Sequence, residues 1–193
     1  MDDAKLDLII GPMFSGKTTK LLEVIHKLES ENLKYLVVKP KIDDRYDDKN
    51  FIVSHNMIKK ECQVLSDLNE LLDTIDSEIK YILIDEGQFF PNLYKFVLTC
   101  LELFNISVVV TGLDGDYLRK PIGEILDLIP ISDSVLKLKS KCQLCEKPAI
   151  FTHRFVEDNN EQVLVGGSET YMPLCRCHYK EENSLKKLNT SSI

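Results

Sequence analysis

The sequence lacks three features that would each have indicated a different class of protein. It has no apolar run of about 18 residues, the length that a membrane-spanning helix needs. Its acidic start, Met1-Asp2-Asp3, is unlike a secretory signal peptide. It also has no excess of basic residues, because 24 Lys and Arg stand against 31 Asp and Glu, a formal net charge of −7. We therefore expect no membrane partner and no dedicated binding of nucleic acid, which requires basic surfaces.

These absences also bear on the six cysteines. Without a signal peptide, the expected location is the cytoplasm, where thiols stay reduced. Cysteines there are more often metal ligands or buried thiols than disulfides. The length of 193 residues suits one domain with a small appendage.

A phosphate-binding motif (P-loop) is the strongest signal in the chain. Residues 11–18 fit G-x-x-x-x-G-K-[ST] and read Gly11-Pro12-Met13-Phe14-Ser15-Gly16-Lys17-Thr18. The apolar run Leu6–Ile10 precedes them, and apolar residues at helical spacing follow (Leu21, Val24, Ile25 and Leu28). Here the backbone N–H groups surround phosphates at a helix N-terminus. Lys17 is expected to reach the β- and γ-phosphates of ATP, and the Thr18 hydroxyl to bind Mg²⁺.

The rest of the chain alternates between strand-like and helix-like segments, which predicts an α/β fold with a parallel sheet. Further strands are expected at Tyr35–Val38, Tyr81–Ile84 and Val108–Val110, and a helix at about Asp67–Ile75. An apolar stripe at helical spacing predicts another helix packed on the core (Leu93, Phe96, Val97, Cys100, Leu101 and Phe104). The charged segment Lys39–Asn50 is expected to be a loop. We predict a nucleotide-binding domain at 1–139, a small module at 140–180 and a polar, frayed tail at 181–193.

Two adjacent acids end the third predicted strand. In P-loop proteins an acid at this position helps to hold Mg²⁺, the role expected for Asp85. Adjacent strand residues point to opposite sides, so Glu86 must act differently. It could accept a proton from a substrate, or hold a lytic water if the protein is an ATPase.

Four residues near the C-terminus have the spacing of a structural zinc site. Cys142 and Cys145 form a C-x-x-C pair, and Cys175 and His178 form C-x-x-H. Cys177 lies between the last two and could replace His178 as the fourth ligand. A redox function of C-x-x-C is disfavoured, because the motif does not open a helix after a thioredoxin-like strand.

Between these pairs, the expected hairpin strand Val163-Leu164-Val165 ends in two glycines, Gly166 and Gly167. Glycine lets a backbone approach a ligand closely, so the segment could form a lid over a bound molecule. A plain zinc-ribbon hairpin explains the pattern equally well.

Together these motifs resemble the type II thymidine kinases, the cytosolic and viral family. The resemblance covers nearly the whole chain and rests on four strings. They are GPMFSGKTT at Gly11–Thr19, IDEGQFFP at Ile84–Pro91, LDGDYLRKPIG at Leu113–Gly123, and a VGG…Y…C-x-x-H pattern at Val165–His178. The family implies a RecA-like P-loop core with a small zinc-binding lasso domain, assembled as a homotetramer.

The resemblance also implies residue roles. Glu86 is the expected catalytic base, and Asp85, Gln88, Asp43, Asp44 and Arg45 are expected beside the phosphates and Mg²⁺. The expected walls of the nucleoside pocket are Met13, Phe90, Leu113, Tyr117 and Tyr171. The segment Gln162-Val163-Leu164-Val165-Gly166 is the expected lasso strand, whose backbone reads the thymine edge. Tyr117 stands where the family often has Phe, and Cys177 is an extra cysteine.

The implied activity is transfer of the ATP γ-phosphate to the thymidine 5′-hydroxyl, with thymidine triphosphate as a feedback inhibitor. Three other functions are weighed against it: a P-loop ATPase or helicase fragment, a non-catalytic zinc-ribbon module, and a broader deoxynucleoside kinase. A helicase would usually have a basic track for nucleic acid, which this acidic chain lacks. A zinc-ribbon module would leave Lys17 and Glu86 without a purpose. The residues do not rank thymidine against deoxyuridine.

Overall fold

A computed structural model describes residues 3–41, 50–53, 58–72, 74–156 and 161–190. The strands are β1 (Leu6–Gly11), β2 (Tyr35–Pro40), β3 (Phe51–Val53), β4 (Lys59–Glu61), β5 (Gln63–Leu65), β6 (Tyr81–Ile84), β7 (Ser107–Leu113), β8 (Ser134–Lys137), β9 (Ser140–Lys141), β10 (Pro148–Ala149), β11 (Phe151–Arg154) and β12 (Tyr171–Leu174). The helices are α1 (Lys17–Ser30), α2 (Asn69–Leu72), α3 (Leu93–Glu102) and α4 (Arg176–Thr190), with 3-10 turns at Gly87–Phe89 and Ile125–Ile131.

Six strands form the central sheet, in the order β5-β2-β6-β7-β1-β8. Each neighbouring pair runs parallel. The predicted α/β fold with a parallel sheet is confirmed.

Two hydrophobic cores lie on opposite faces of this sheet. Side chains alternate along each strand, so that Leu8 enters one core while Ile9 enters the other. Helix α3 covers the first face, and α1 covers the second with its apolar stripe. Because both faces are covered, the inner strands are continuous apolar runs, which is the pattern that the sequence displays.

Three features differ from the sequence-based expectations. Helix α2 has four residues instead of about nine, and Phe104 lies beyond the end of α3 with 44% of its surface exposed. The expected tail continues as helix α4 to Thr190, in a segment rich in Lys, Glu and Leu, which are strong helix formers.

The C-terminal module consists of two small hairpins and the start of α4. Strand β9 pairs with β10, and β11 pairs with β12, all antiparallel. Its core contains Cys142, Ala149, Leu174, Cys175 and Tyr179.

No helix within the described ranges is both long and apolar enough to cross a membrane. The carboxyl ends of β1, β6 and β7 lie side by side, since these strands are parallel neighbours. In open parallel sheets this edge is where ligands bind.

Candidate active site

Residues 11–18, the 11–18 loop, connect β1 to α1. A side chain at Gly11 would collide with Leu138 and with the loop itself, because a Cβ there would lie 2.8 Å from the Leu138 carbonyl oxygen and 2.9 Å from Ser15 Oγ. Gly16 has a positive φ of 83° directly before the helix. The buried Lys17 folds back so that its Nζ donates a 2.9 Å hydrogen bond to the Pro12 carbonyl. The loop thus surrounds its own cation at a helix N-terminus.

Asp85 directly follows β6, and its carboxylate accepts hydrogen bonds from three residues. Thr18 Oγ1 donates to one of its carboxylate oxygens at 3.1 Å. The other oxygen accepts from the Glu86 backbone N–H at 3.0 Å and from the Thr111 hydroxyl. A hydroxyl beside a carboxylate provides the oxygen ligands that Mg²⁺ prefers, so these residues fit such an ion. The sequence did not indicate Thr111, which lies on β7, 26 residues away.

Glu86 adopts a left-handed backbone conformation, with φ of 52° and ψ of 42°. This conformation is costly for a residue other than glycine and is concentrated at functional sites. Gln88 Nε2 donates to the buried carboxylate of Glu86 at 2.7 Å. The Leu113 N–H donates in turn to Gln88 Oε1 at 3.0 Å. Gln88, expected beside the phosphates, therefore connects Glu86 to β7.

Two adjoining cavities open at this edge of the sheet. The inner cleft is lined by Met13, Glu86, Phe89, Leu113, Gly115, Asp116, Tyr117, Ile122, Thr152, residues 162–166 and Tyr171. The outer groove is lined by residues 13–19, Lys39, residues 51–53, Asp85, Glu86, residues 139–141, Gln143, residues 165–169, Tyr171 and Pro173. Met13, Glu86, Val165, Gly166 and Tyr171 line both. Glu86 therefore lies where the cavities meet.

The expected pocket residues gather at the inner cleft with one exception. Met13, Leu113, Tyr117, Tyr171 and the 162–166 segment line it. Phe90 instead packs in the core with 2% of its surface exposed, and its neighbour Phe89 lines the cleft. The cause is the 3-10 turn Gly87–Phe89, after which the backbone becomes extended. Successive side chains then point to different sides.

Four other lining residues were not anticipated as contacts: Gly115, Asp116, Ile122 and Thr152. Gly115, Asp116 and Ile122 lie inside the matched string LDGDYLRKPIG, so the sequence did carry a signal for them. Thr152 has no such signal. The expected phosphate-side residues Asp43, Asp44 and Arg45 lie outside the described residues.

The 162–166 segment is not a β-strand, although the sequence predicted one. It has no regular secondary structure and is held by side chains. Gln162 Nε2 donates to Asp116 Oδ2 and to the Pro121 carbonyl, both at 3.0 Å. The Tyr171 hydroxyl donates to the Leu164 carbonyl at 2.7 Å. The segment is thereby fixed over the inner cleft, against the loop of residues 113–123 (the 113–123 loop).

The C-terminal module also contacts the 11–18 loop. The Met13 N–H donates to Thr152 Oγ1 at 3.0 Å, and Ser140 Oγ donates to the Phe14 carbonyl at 2.9 Å. Residues 139–141 and 167–169 line the outer groove as well. The outer groove is therefore built from both parts of the chain, not from residues 1–139 alone.

Cys142, Cys145, Cys175 and His178 converge in the C-terminal module. Their ligand atoms all lie within 4.8 Å of one another. Cys145 Sγ is 3.9 Å from Cys175 Sγ, and His178 Nδ1 is 3.4 Å from Cys142 Sγ. Two thiolates on one tetrahedral Zn²⁺ stand roughly 3.8 Å apart, given Zn–S bonds of about 2.3 Å. The four residues therefore fit zinc.

Local hydrogen bonds favour the thiolate form of Cys142 and Cys175, whose pKa values are lowered, while the pKa of Cys145 is raised. Burial acts to raise the pKa of the Cys142 thiol, but the backbone N–H groups of Cys175 and Leu144 and the nearby His178 together lower that pKa to about 6. Thiolates are the form that binds metal. Cys177, the alternative ligand, is exposed, and its Sγ contacts Glu181 Oε1 at 3.2 Å.

An enzyme that moves a phosphoryl group needs a donor site and an acceptor site that meet at the reacting atoms. The outer groove and the inner cleft adjoin, with Glu86 lining both, and this arrangement suits the class of small-molecule kinases. The sequence model of the thymidine kinase family matches residues 4–179. The chain belongs to the thymidine kinase family.

Individual relatives agree with this membership. The chain is 42% identical to thymidine kinase a of Arabidopsis thaliana over 176 residues, which cover 89% of this chain and 73% of the relative. It is 38% identical to the thymidine kinase of Mycoplasma mobile over 195 residues, which cover 98% of this chain and 96% of the relative. It is 37% identical to the thymidine kinase of Yaba monkey tumor virus over 181 residues, which cover 92% of this chain and 96% of the relative. The activity that follows is ATP-dependent phosphorylation of thymidine to thymidine 5′-monophosphate.

Proposed function

We propose that the reaction is a direct transfer from ATP in the outer groove to thymidine in the inner cleft, with Glu86 as the general base. The observation that carries this proposal is that Glu86 lines both cavities. The thymidine 5′-hydroxyl is a poor nucleophile until a base accepts its proton. The hydrogen bond from Gln88 Nε2 orients the Glu86 carboxylate at the junction of the two cavities, where that hydroxyl would lie.

On the donor side, the backbone N–H groups of the 11–18 loop and Lys17 bind the ATP phosphates and hold them in line with the acceptor. Thr18 and Asp85 would hold Mg²⁺, which when bound would neutralise charge on the phosphates. Thr111 and the Glu86 N–H fix the Asp85 carboxylate in place for this task. Asp43, Asp44 and Arg45 are proposed to assist, on the strength of the sequence resemblance alone.

On the acceptor side, Phe89, Leu113, Tyr117 and Tyr171 enclose the nucleoside. The backbone of residues 162–166 offers N–H and C=O groups to the edge of the thymine base. The same segment covers the cleft and excludes water, so that these hydrogen bonds and the proton transfer occur in a dry site.

The assembly and regulation are proposed from the resemblance to the family. We propose a cytoplasmic homotetramer that binds no nucleic acid and is inhibited by thymidine triphosphate. The division into a nucleotide-binding domain at 1–139 and a zinc-binding lasso module at 140–180 belongs to the same proposal.

A coupled assay with Mg-ATP and each common nucleoside tests the function. We expect ADP release that depends on thymidine, together with formation of thymidine 5′-monophosphate. ADP release at the same rate without any nucleoside would instead indicate an ATPase in which Glu86 activates water.

We expect one Zn²⁺ per chain, held by Cys142, Cys145, Cys175 and His178. Metal analysis of protein purified without added zinc measures the stoichiometry. Cys177→Ser should retain zinc, because Cys177 points to Glu181, while His178→Ala should lose it. The reverse pattern would identify Cys177 as the fourth ligand.

Removal of the zinc site should weaken thymidine binding most. Cys142→Ser combined with Cys145→Ser releases a segment of roughly 30 residues whose closure was restrained. That segment provides residues 162–166 and Tyr171 of the inner cleft. It also provides Thr152, which is bonded to Met13, so ATP affinity should fall as well, though less.

Calorimetric titration of the double variant with each ligand measures the two effects. Cys62→Ser combined with Cys100→Ser is the matched control, since neither residue belongs to the cluster. Unchanged ATP affinity would mean that the contacts to the 11–18 loop are unimportant. Unchanged thymidine affinity would contradict the proposed function of the module as a lid.

A further inference from the structure

Tyr179 is a buried residue of α4 that belongs to the core around the metal-ligand cluster. It directly follows His178, and 3% of its surface is exposed. Its ring packs in the same small core as Cys142, Leu174 and Cys175, and it lies 4.9 Å from the ring of Phe151, centroid to centroid. The position of this side chain is thus fixed by the same packing that gathers the metal ligands.

The Tyr179 hydroxyl leaves this core and reaches the inner cleft's wall. It donates a 2.6 Å hydrogen bond to the backbone carbonyl of Tyr117, which is 62 residues away in sequence. Tyr117 is a lining residue of the inner cleft. A single hydroxyl therefore joins the metal-ligand core to the nucleoside pocket.

The other described contacts of the 113–123 loop act on residues beside Tyr117. Gln162 bonds to Asp116 and to the Pro121 carbonyl, and the Arg119 guanidinium lies 4.8 Å from the centre of the Tyr179 ring. The Asp116 carboxylate accepts hydrogen bonds from the N–H groups of Leu118 and Lys120, both at 2.8 Å, and so shapes the turn internally. Leu118 itself is exposed. The guanidinium of Arg154 lies 3.5 Å from the centre of the Tyr117 ring and holds the side chain from one side. The Tyr179 bond anchors the backbone of the same residue.

We propose that Tyr179 is a positioning residue for thymidine: it sets the place of the Tyr117 wall and couples the metal-ligand core to nucleoside binding. This inference rests on the proposed assignment of the inner cleft to thymidine. The C-terminal module would then affect the inner cleft in two ways, through the 162–166 segment that covers it and through the Tyr179 hydrogen bond to Tyr117.

The expected effect is on binding and not on the chemical step. Glu86 is held by hydrogen bonds through Gln88 to the Leu113 N–H of β7. The Tyr179 hydroxyl takes no part in these bonds and donates to the Tyr117 carbonyl instead. Loss of the hydroxyl leaves the Tyr117 carbonyl without this donor, and a partly buried hydrogen bond of this kind corresponds to roughly 3- to 10-fold in an equilibrium constant. The thymidine KM should rise by about that factor, with kcat and the ATP KM nearly unchanged.

Tyr179→Phe tests the proposal, because it keeps the ring in its core and removes only the hydroxyl. Tyr35→Phe is the matched control: its hydroxyl bonds to Glu29 Oε1 at 2.7 Å, and it begins β2 at the edge of the sheet opposite to the site. Zinc content and melting temperature are measured for both variants beside the kinetics. Zinc should be retained in both.

The proposal is supported if only Tyr179→Phe raises the thymidine KM. An unchanged thymidine KM in an active, zinc-loaded Tyr179→Phe protein would overturn it while leaving the proposed function intact. A fall in kcat with both KM values unchanged would also overturn it.

A double-mutant cycle with Tyr117→Ala adds an independent measurement. If Tyr179 acts through Tyr117, the Phe substitution should have little further effect on the thymidine dissociation constant once that wall is removed. Fully additive effects would mean that Tyr179 supports the fold in general and has no particular relation to this wall.

Discussion

Replacing Glu86 with Gln should lower kcat by about 10²–10⁴-fold, the usual contribution of a positioned general base. The substitution preserves shape, and its amide oxygen can still accept the hydrogen bond from Gln88. ATP and thymidine should therefore bind almost as before. Steady-state kinetics with binding titrations of both ligands provide the measurement.

Glu124→Gln is a matched control for this substitution. Glu124 accepts a hydrogen bond from the Tyr94 N–H at 2.9 Å beside the start of α3, and it lines neither cavity. It should leave kcat unchanged. A Glu86→Gln enzyme with wild-type kcat would remove Glu86 from the role of base.

Lys17→Ala is expected to weaken ATP binding and to lower the rate of phosphoryl transfer by about 10²-fold or more. A preorganised charge that faces developing negative charge is worth about that much in a site without water. The buried Lys17 is bonded within the 11–18 loop at Pro12, so its ammonium group is already in place before ATP arrives. Calorimetry with ATP and single-turnover rates separate the two effects.

The control here is Lys20→Ala on the same helix. Lys20 pairs with Glu23 at the surface and lines neither cavity. Comparable thymidine phosphorylation by Lys17→Ala and the wild type would show that the loop is not where the ATP phosphates bind.

The sheet was the most predictable part of the fold. Strand β6 has the bounds that the sequence predicted, Tyr81–Ile84, and the other predicted strands begin at or within a residue of their expected starts. Parallel strands buried on both faces require continuous apolar runs, and such runs are easily recognised. The ends of elements were less predictable: α4 extends through a polar segment, and α2 is short, because capping and packing decide where a helix stops.

The candidate site could be predicted where its residues are adjacent in sequence. The 11–18 loop, the acids that end β6 and the two ligand pairs of the metal cluster are all local patterns. The groups that orient them come from distant parts of the chain. Thr111 reaches Asp85, and Thr152 reaches Met13, 139 residues away, so no window of sequence contains both partners.

The two adjacent phenylalanines, Phe89 and Phe90, illustrate the remaining difficulty. Both are aromatic, and composition does not say which one faces the cleft. The answer depends on the left-handed backbone of Glu86 and the 3-10 turn that follows it. A sequence pattern has no signal for that geometry, because glutamate rarely adopts it.

The two hydrogen bonds between the 11–18 loop and the C-terminal module limit how this loop could be transplanted. One of its backbone N–H groups and one of its carbonyls have partners at Thr152 and Ser140, so residues 1–139 do not contain all that shapes it. A protein into which residues 1–139 were transplanted would have to place two hydroxyl groups where Thr152 and Ser140 place theirs. The conformation of the 11–18 loop therefore depends on the C-terminal module, the same module that covers the inner cleft.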